Sequence, residues 1–267
     1  MKQILYIITV FLFVAFVYIH VLFHLKVNNL IELDNIQITG KEDFEEHCNK
    51  RLPFIANYCI HNINQTINLE NFLNKYKSFE INIKDKKIKP TELFSLDNFL
   101  SMNNINFLNE TELIEIISKN DHFLRPSFTF VKNYDIFLGK NCQTNFISQL
   151  NFRNFFYVSE GCVEIYLAPP KSSKYLNFSY NNVTFSNETK INPFDKDVQK
   201  TDSFDKIKPI KIKLSKGELL FVPSSWYISI SFNELAILQC LHYRTMMNIV
   251  TLTPNYITYF YNKTINK

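Results

Sequence analysis

The length, composition and charge of the chain set the first limits on its fold and function. The chain has 267 residues, 46% of them hydrophobic, which is ordinary for a folded protein and enough to bury one main core. The formal net charge is only +4, with lysines dispersed among acidic residues, whereas nucleic-acid binding needs a clustered basic face. No GxSxG, HExxH or P-loop motif is present, and only 4 glycines are available for a phosphate-binding loop. We therefore expect one main domain and no nucleic-acid partner.

The chain begins with an apolar segment. Residues 4–25 carry no Lys, Arg, Asp or Glu, and a helix of about 20 apolar residues spans a hydrocarbon core about 30 Å thick. A cleaved signal peptide is the alternative, but the run is long and bulky, and no small-residue cleavage site follows it before Lys26. We predict an uncleaved signal anchor over residues 1–27, with His20 and His24 near its far end.

The short tail before the anchor indicates the orientation. We expect the tail in the cytoplasm and the domain in the ER lumen or another extracytoplasmic space, which gives a single-pass membrane protein. Asn-x-Ser/Thr triplets would then be accessible to glycosylation, although the frequent use of Asn makes such triplets common by chance. The candidate acceptors are Asn64, Asn109, Asn177, Asn182, Asn187 and Asn262.

The cysteines do not form a metal-binding pattern. The chain has 5 cysteines, without a CxxC pair or the spacing of a zinc site. In an oxidising compartment Cys48 and Cys59 are candidates for a disulfide bridge, and the odd count leaves a thiol unpaired within the chain. Cys162 and Cys240 lie in apolar strand-like runs, so we expect them in the core. The fifth cysteine is Cys142.

Residues 28–125 alternate between short strand-like and helical segments. Strands are predicted over 36–39, 52–57 and 79–83. Helices are predicted over 41–50, 68–76, 95–102 and 110–118, with Asn68 and Asn109 as N-caps. In the second of these helices the apolar stripe consists of Leu69, Phe72, Leu73 and Tyr76. We read this part of the chain as a helical or mixed preface to a β domain.

From residue 127 to residue 243 the hydrophobic period becomes twofold, which indicates short strands separated by turns. Residues 144–170 and 216–232 are the two most strand-like stretches, and about 45 residues separate them, so the fold must join them in space. Lys211 and Lys213 lie on one face of a predicted strand over 210–214, which is typical of a solvated face. We expect a barrel over residues 126–247 and a C-terminal tail over 248–267.

Two stretches carry a resemblance to a known family. They are FLGKNCQTNFISQLNFRNFFYVSEGCVEIYLAPP and, downstream, KGELLFVPSSWYISI. Together they resemble the cupin-like Jumonji C (JmjC) domains, which belong to the iron- and 2-oxoglutarate-dependent oxygenases. The order of elements in residues 28–125 is similar to the preface of that family as well. The resemblance implies a mainly β fold, a double-stranded β-helix (cupin or jelly-roll barrel), here with a helical preface and one transmembrane helix.

The resemblance also implies where an iron site would lie. Active members hold Fe(II) with a His-x-Asp pair after a Thr and with a His after two aromatic residues. The matching positions in this chain are Ile147, Gln149 and Ile228. Shifting the register by one residue places the first pair at Ser148 and Leu150, which does not restore the ligands. We therefore expect no iron and a degenerate member of the family.

The co-substrate positions are preserved in part. The family commonly binds 2-oxoglutarate with the Thr, with an Asn before two aromatic residues and with a Lys after the Gly. Thr144 and Asn154 match, and with Trp226 they outline a residual co-substrate pocket, but Val163 stands at the Lys position. Burying an uncompensated dicarboxylate there would be costly. His242 lies in an apolar strand-like run, and we interpret it as a strand histidine and not as a metal ligand.

Three functions fit this sequence. The preferred hypothesis is a catalytically inactive, membrane-bound binding or scaffold module without a cofactor. Its unknown partner is a protein, a glycan or a small apolar ligand that binds in the barrel mouth. The first alternative is a hydroxylase- or demethylase-like dioxygenase that uses Fe(II) and 2-oxoglutarate with atypical ligands. The second alternative is a structural membrane or envelope protein, in which Ile147, Val163 and Ile228 contact each other and close the barrel mouth.

Overall fold

The computed structural model describes residues 2–57, 67–83, 86–181 and 186–265. In this part of the chain, helices precede, flank and follow a β-rich centre. The described helices are α1 (Lys2–Leu25), α2 (Lys41–Asn49), α3 (Leu69–Asn74), α4 (Pro90–Phe94), α5 (Ile105–Glu110), α6 (Leu113–Asn120), α7 (Lys196–Gln199), α8 (Asp202–Ile207), α9 (Met246–Thr251) and α10 (Thr253–Ile265), with a 3-10 helix over Pro170–Tyr175.

The strands form two seven-stranded sheets and one small two-stranded sheet. The major sheet has the order β1-β2-β14-β9-β16-β6-β5, and the minor sheet has the order β11-β12-β8-β15-β10-β13, with β7 paired to β15. The strands are β1 (Asp34–Ile36), β2 (Phe54–Asn57), β3 (Ile81–Ile83), β4 (Lys86–Ile88), β5 (Phe99–Ser101), β6 (Thr129–Lys140), β7 (Cys142–Gln143), β8 (Ile147–Gln149), β9 (Arg153–Glu160), β10 (Cys162–Ala168), β11 (Ser179–Asn181), β12 (Ser186–Glu188), β13 (Ile210–Ser215), β14 (Glu218–Pro223), β15 (Tyr227–Phe232) and β16 (Ala236–Thr245).

The interior of the barrel lies between the two sheets. Because side chains alternate along a strand, every second residue of β9, β14 and β16 points to this interior and the others point to the helical layer. Thus Phe156 and Leu238 pack with Ile165 and Ile230 of the minor sheet, whereas Phe155 and its neighbours pack against the helices. The mainly β barrel with a helical preface, predicted from the twofold period and the resemblance, is confirmed.

One hairpin at the end of the barrel requires a glycine. Gly161 connects β9 to β10 with a φ of 75°, and a Cβ atom there would lie 2.4 Å from the carbonyl oxygen of Leu235. A side chain would therefore clash with backbone as well as strain the turn. Next to it, Lys216 pairs with Glu160 at the start of the β14 hairpin, so both hairpins lie at the same end of the barrel.

The preface follows the prediction in part. Asn68 caps α3 by accepting a hydrogen bond from the backbone of Asn71, and Phe72 and Tyr76 are buried as expected, but Leu73 is exposed. The strand expected over 36–39 lies earlier, at Asp34–Ile36, because it pairs in parallel with β2. Lys211 and Lys213 lie on the exposed face of β13, as the alternation predicted.

Two of the predicted helices are wrong. The segment 95–102 does not form a helix but includes β5, because pairing with the edge of β6 buries Phe99 and Ser101 and outweighs local helix propensity. The helix predicted over 110–118 is divided into α5 and α6 by Glu112, whose φ of 60° is left-handed. Asn109 consequently lies in the last turn of α5 and is not an N-cap.

The chain ends in helices that the sequence did not predict. Residues 248–267 had been assigned to a tail, and α9 and α10 occupy most of this segment. The side chain of Thr245 caps α9 by accepting a hydrogen bond from the backbone of Asn248. The domain boundaries themselves stay a prediction.

Helix α1 is long and apolar enough to cross a membrane, and none of its residues is buried. An N-terminal helix of this length and hydrophobicity is typical of a membrane anchor or a signal sequence. Its last turn docks on the domain, where the Nε2 atom of His24 lies 2.7 Å from the hydroxyl of Thr245. The ring of His24 also packs on that of Phe152, with 4.6 Å between the ring centroids. Helix α1 is thus fixed to the end of β16 and not joined to the domain by a free linker alone.

Candidate functional site at the barrel mouth

The pairing of β8 with β15 brings two of the predicted metal positions together. In this antiparallel pair Ile147 lies directly opposite Ile228, and Ser148 lies opposite Tyr227. Directly opposed residues project to the same face of a sheet. Ile228 belongs to the core between the two sheets, so Ile147, half-buried, also faces the interior. At the positions where an oxygenase of this fold would place two histidines, two aliphatic side chains are neighbours.

Gln149 is the next residue of β8 on the same face. Its Oε1 atom accepts a hydrogen bond of 3.3 Å from the side-chain amide of Asn151. Isoleucine has no donor atom for a metal, and a single amide oxygen is a weak ligand, so these three residues do not fit Fe(II). Within the described ranges, no group of three or more His, Cys, Asp and Glu side chains is arranged to hold a metal ion.

Thr144 uses its polar groups to join two strands. Its backbone N–H donates to the carbonyl of Ile230 at 2.9 Å, and its hydroxyl oxygen accepts a hydrogen bond of 2.8 Å from the N–H of Ile230. The hydroxyl of Ser229 donates to the carbonyl of Thr144. Thr144 therefore continues the sheet at this point. Its predicted role toward a co-substrate stays a prediction.

Asn154 and His242 lie opposite each other on the central strands β9 and β16. The amide nitrogen of Asn154 donates to the carbonyl of Val222 at 3.2 Å, which leaves its Oδ1 atom facing His242 Nδ1 at 2.8 Å. The His242 nitrogen must then carry the proton and donate it. Burial and the nearby charge of Arg244 lower the pKa of His242 to about 4, so the ring is neutral near pH 7.

Two further side chains complete this polar group. The Nε atom of Arg244 donates to Asn151 Oδ1 at 2.6 Å, and its Nη1 atom donates to the hydroxyl of Tyr256 at 3.0 Å. Asn151 in turn donates to Asn154 Oδ1 at 3.1 Å. We call Asn151, Asn154, His242 and Arg244 the mouth cluster. Its members are buried and satisfy one another, so it closes one end of the barrel.

The sequence indicated part of the mouth cluster but not its extent. His242 had been interpreted as a strand histidine, and it is one. Arg244 was missed, although it follows His242 by two residues in an apolar run and the twofold period therefore places both on one face. Asn151 precedes β9, and nothing in the sequence shows that it bridges Arg244 and Asn154.

Trp226 fills the interior beside this site. Its side chain is buried in the core between the sheets, and its indole nitrogen has no acceptor among the described residues. Val163 lies elsewhere, because β10 pairs it with Leu214 and places Leu167, four residues further on, opposite Ile228. The expectation that Ile147, Val163 and Ile228 meet is therefore wrong for Val163, since the register of β10 separates it from the other two.

Cys240 lies in the core as expected, but Cys162, which was also expected there, does not. Cys48 and Cys240 are buried, and Cys142 and Cys162 are half-buried. Burial raises the pKa of Cys48 to about 12 and that of Cys142 to about 11, so these thiols are not ionised near pH 7. The bridge considered between Cys48 and Cys59 cannot be followed, because Cys59 lies outside the described residues.

The candidate glycosylation sites differ in exposure. Asn109 and Asn177 are exposed, and Asn187 is half-buried on β12 between two paired strands. Asn64 and Asn182 lie outside the described residues, as does the side chain of Asn262. Their modification stays a prediction.

Comparison with known proteins identifies one family. A family model described as a cupin-like domain matches residues 61–249, which is more than half of the chain. The matched segment contains both strands with the predicted metal positions and the whole mouth cluster. No curated protein matches the chain.

Proposed function

Because the chain belongs to the family of cupin-like domains, we propose that it is a degenerate, JmjC-type member of this family that acts as a membrane-bound binding or scaffold module. In this proposal the chain is a pseudoenzyme and not an iron-dependent oxygenase. Its partner is an unknown protein or a small-molecule ligand, with no resident cofactor and no role for nucleic acid.

The pairing of Ile147 with Ile228 is the observation that carries the proposal. A facial triad needs three donor atoms directed at one point, and these two side chains offer none. Two aliphatic side chains on the same face also make this position apolar, which would raise the cost of placing a dication there. If only one of the three metal ligands were replaced, the other two could still form a weak metal site. Here two of the three positions are aliphatic and lie opposite each other.

The state of the co-substrate positions supports the same proposal. A buried dicarboxylate needs a free cationic partner. Val163 stands where the family places a Lys, and Arg244 already donates to Asn151 and Tyr256. Asn154 is engaged by His242 and Val222. Recognition of 2-oxoglutarate would require several of these hydrogen bonds to be broken.

The docking of α1 supports an uncleaved anchor. Removal of a signal peptide would expose the ring of Phe152 and leave Thr245 without the His24 contact. An anchored domain on the extracytoplasmic or ER-lumenal side would present the exposed residues Asn109 and Asn177 for glycosylation. The orientation is part of the proposal.

Metal titration tests the proposal directly. The purified chain is titrated anaerobically with Fe(II) and Mn(II) in a calorimeter, and 2-oxoglutarate turnover is then measured. We expect neither binding nor turnover. The matched control is the Ile147→His, Gln149→Asp, Ile228→His variant, which we expect to gain Fe(II) binding because it restores the three donors on the same face. Stoichiometric Fe(II) binding with 2-oxoglutarate consumption by the unmodified chain would instead establish the dioxygenase with atypical ligands.

A structural membrane or envelope protein remains the second candidate. The burial of Trp226 and the pairing of Ile147 with Ile228 favour it, because both place bulky apolar side chains at the barrel mouth. Ligand screening by thermal shift separates the two candidates. A scaffold with a small-molecule ligand is stabilised by that ligand, whereas a purely structural protein is stabilised by none.

A further inference from the structure

A groove of about 570 Å³ lies between α1 and the domain, and its lining does not include the predicted metal positions. We call it the α1 groove. One wall is a stripe on the second half of α1 that includes Phe16, Ile19 and Phe23. The residues of this stripe recur at intervals of three and four, so they share one face of the helix. The opposite wall comes from the domain and consists of Pro126, Phe128, Phe152, Met246 and Met247.

The α1 wall of the groove becomes more polar toward the C-terminal end of the helix, where His20 and His24 follow Phe16 and Ile19. His24, Thr245 and the ion pair of Glu45 with Arg153 line the end next to the domain. Phe16 lies two helical turns before His24, about 12 Å further along the α1 axis. The lining therefore changes from apolar to polar along the direction in which a transmembrane helix leaves the bilayer.

An unpaired cation lies behind the groove wall. Arg51 is buried, with only 2% of its surface exposed, and its Nε and Nη2 atoms have no hydrogen-bond partner among the described residues. Its guanidinium packs on Phe152 at 4.3 Å and on Phe23 at 5.0 Å, and both rings also line the groove. Aromatic faces compensate such a charge only in part, so an anion near this end would be favoured.

The rim of the groove exposes large apolar side chains. The exposed fraction is 91% for Phe128, 69% for Phe130 and 62% for Met246. On α10, Ile257 and Phe260 are exposed as well. Phe128 and Met246 also line the groove, and large apolar side chains exposed next to a groove are typical of an interaction site. Here these side chains continue the apolar surface of α1, whose residues are exposed from its first turn onward.

We propose that the α1 groove holds a phospholipid of the bilayer that α1 spans, and that the rim residues rest in the same leaflet. The acyl chain lies along Phe16, Ile19 and Phe128, and the phosphate lies at the polar end, on the side of Arg51. This inference rests on the proposed membrane anchor. An amphipathic molecule fits because the groove is itself amphipathic in the direction of the membrane normal.

The rim is tested by tryptophan fluorescence in nanodiscs made with brominated phospholipids, which quench nearby indoles. The Phe128→Trp variant of the full chain is compared with Leu73→Trp, because Leu73 is exposed near Glu160, at the opposite end of β9. Both variants retain the buried Trp226 as the same background. We expect a roughly twofold loss of the added emission for Phe128→Trp and no loss for Leu73→Trp.

The groove is tested by native mass spectrometry after purification from an equal mixture of phosphatidylcholine and phosphatidylglycerol. We expect the chain to retain a phospholipid, mainly the anionic one. Ser127 is an exposed residue of the groove, and the Ser127→Trp variant should block retention of the phospholipid. The Leu73→Trp variant should retain it. Arg51→Gln should keep retention but lose the headgroup preference. Inorganic phosphate alone should give no adduct, which separates a lipid site from a phosphate site.

These experiments distinguish a failure of the anchor proposal from a failure of the lipid-site proposal. If the chain does not integrate into nanodiscs, the anchor proposal fails and this inference with it. If the chain integrates but Phe128→Trp is not quenched and no lipid is retained, the anchor stands and the lipid site is refuted. Retention of a second copy of the chain, or equal retention by Ser127→Trp, also refutes it.

Discussion

At the scale of single residues, His242 shows how a polar group is kept in the core of this barrel. Its Nδ1 atom donates to Asn154, whose own amide is held by Val222 and Asn151. A charged imidazole could not be solvated there, so the fold selects the neutral ring. The residue therefore works as a hydrogen-bond donor between two central strands.

The burial of neutral His242 makes the stability of the folded chain depend on pH. The pKa of His242 is about 4 in the folded chain and about 6.5 when unfolded. Because the folded pKa is depressed, the contribution to stability is complete above about pH 6.5 and is lost as pH falls toward 4. The total is on the order of 3 kcal/mol. We expect urea unfolding between pH 7 and pH 4 to show this loss, and the His242→Gln variant to lack it.

The comparison with His242→Gln is needed because another buried group titrates in the same range. Burial raises the pKa of Asp135 to about 6, despite hydrogen bonds from Asn103 and Asn104. A raised carboxyl pKa favours the folded state as pH falls, which is the opposite sign. The variant keeps Asp135, so the difference between the two curves isolates His242. Parallel curves for both proteins would contradict the assignment.

At the scale of elements, Asp121 joins the helical layer to the major sheet. It follows α6 directly, and its Oδ2 atom accepts hydrogen bonds from Tyr134 of β6 at 2.7 Å and Tyr243 of β16 at 2.6 Å. Its other oxygen pairs with Arg125. One fully buried carboxylate thus holds a helix end, two neighbouring strands and a loop in a fixed arrangement.

Removing the charge of Asp121 should destabilise the fold strongly. In Asp121→Asn the amide cannot accept from two hydroxyls and a guanidinium as the carboxylate does, so we expect a loss of about 3–5 kcal/mol in the free energy of unfolding. The control Tyr134→Phe removes one donor only and should cost about 1 kcal/mol. Urea denaturation measures both. Equal losses for the two variants would show that Asp121 does not join these elements.

The same elements show what the sequence could predict. Long strands such as β9, β10 and β15 were visible as apolar runs of twofold period, and the cap at Asn68 was visible from local chemistry. Strand β5 was not, because its conformation depends on pairing with β6, more than 30 residues away. At the site, Ile147, Gln149 and Ile228 could be aligned by motif, but the hydrogen bonds of Asn151 and Arg244 depend on the register of three strands.

At the scale of the whole molecule, the junction of α1 with the domain depends on one ring. Phe152 is buried and contacts His24, Arg51 and Arg153 on different sides. The segment 26–33 between α1 and β1 lies directly beside this junction and begins with Lys26. Loss of the ring should therefore release α1 before it unfolds the barrel.

We expect Phe152→Ala to lower the free energy of unfolding by about 3–5 kcal/mol and to speed tryptic cleavage after Lys26 in detergent micelles. The released domain should remain resistant, because none of the three hydrophobic clusters among the described residues includes a residue of α1. The exposed Phe178 provides the control Phe178→Ala, which should change neither quantity. Cleavage that begins inside the barrel would indicate general unfolding and not release of α1.

The docked position of α1 would determine what a copy anchored as proposed shows to its surroundings. The eight residues of β9 run from Arg153, next to α1, to Glu160, so the β9–β10 and β13–β14 hairpins lie about 25 Å from the α1 junction. A flexible linker between the anchor and the domain would let the domain rotate freely and expose all of its surfaces to neighbouring molecules. In the proposed anchored protein, the α1 junction would face the bilayer and these hairpins would lie away from it, so a neighbour in the same membrane would meet each copy in the same orientation.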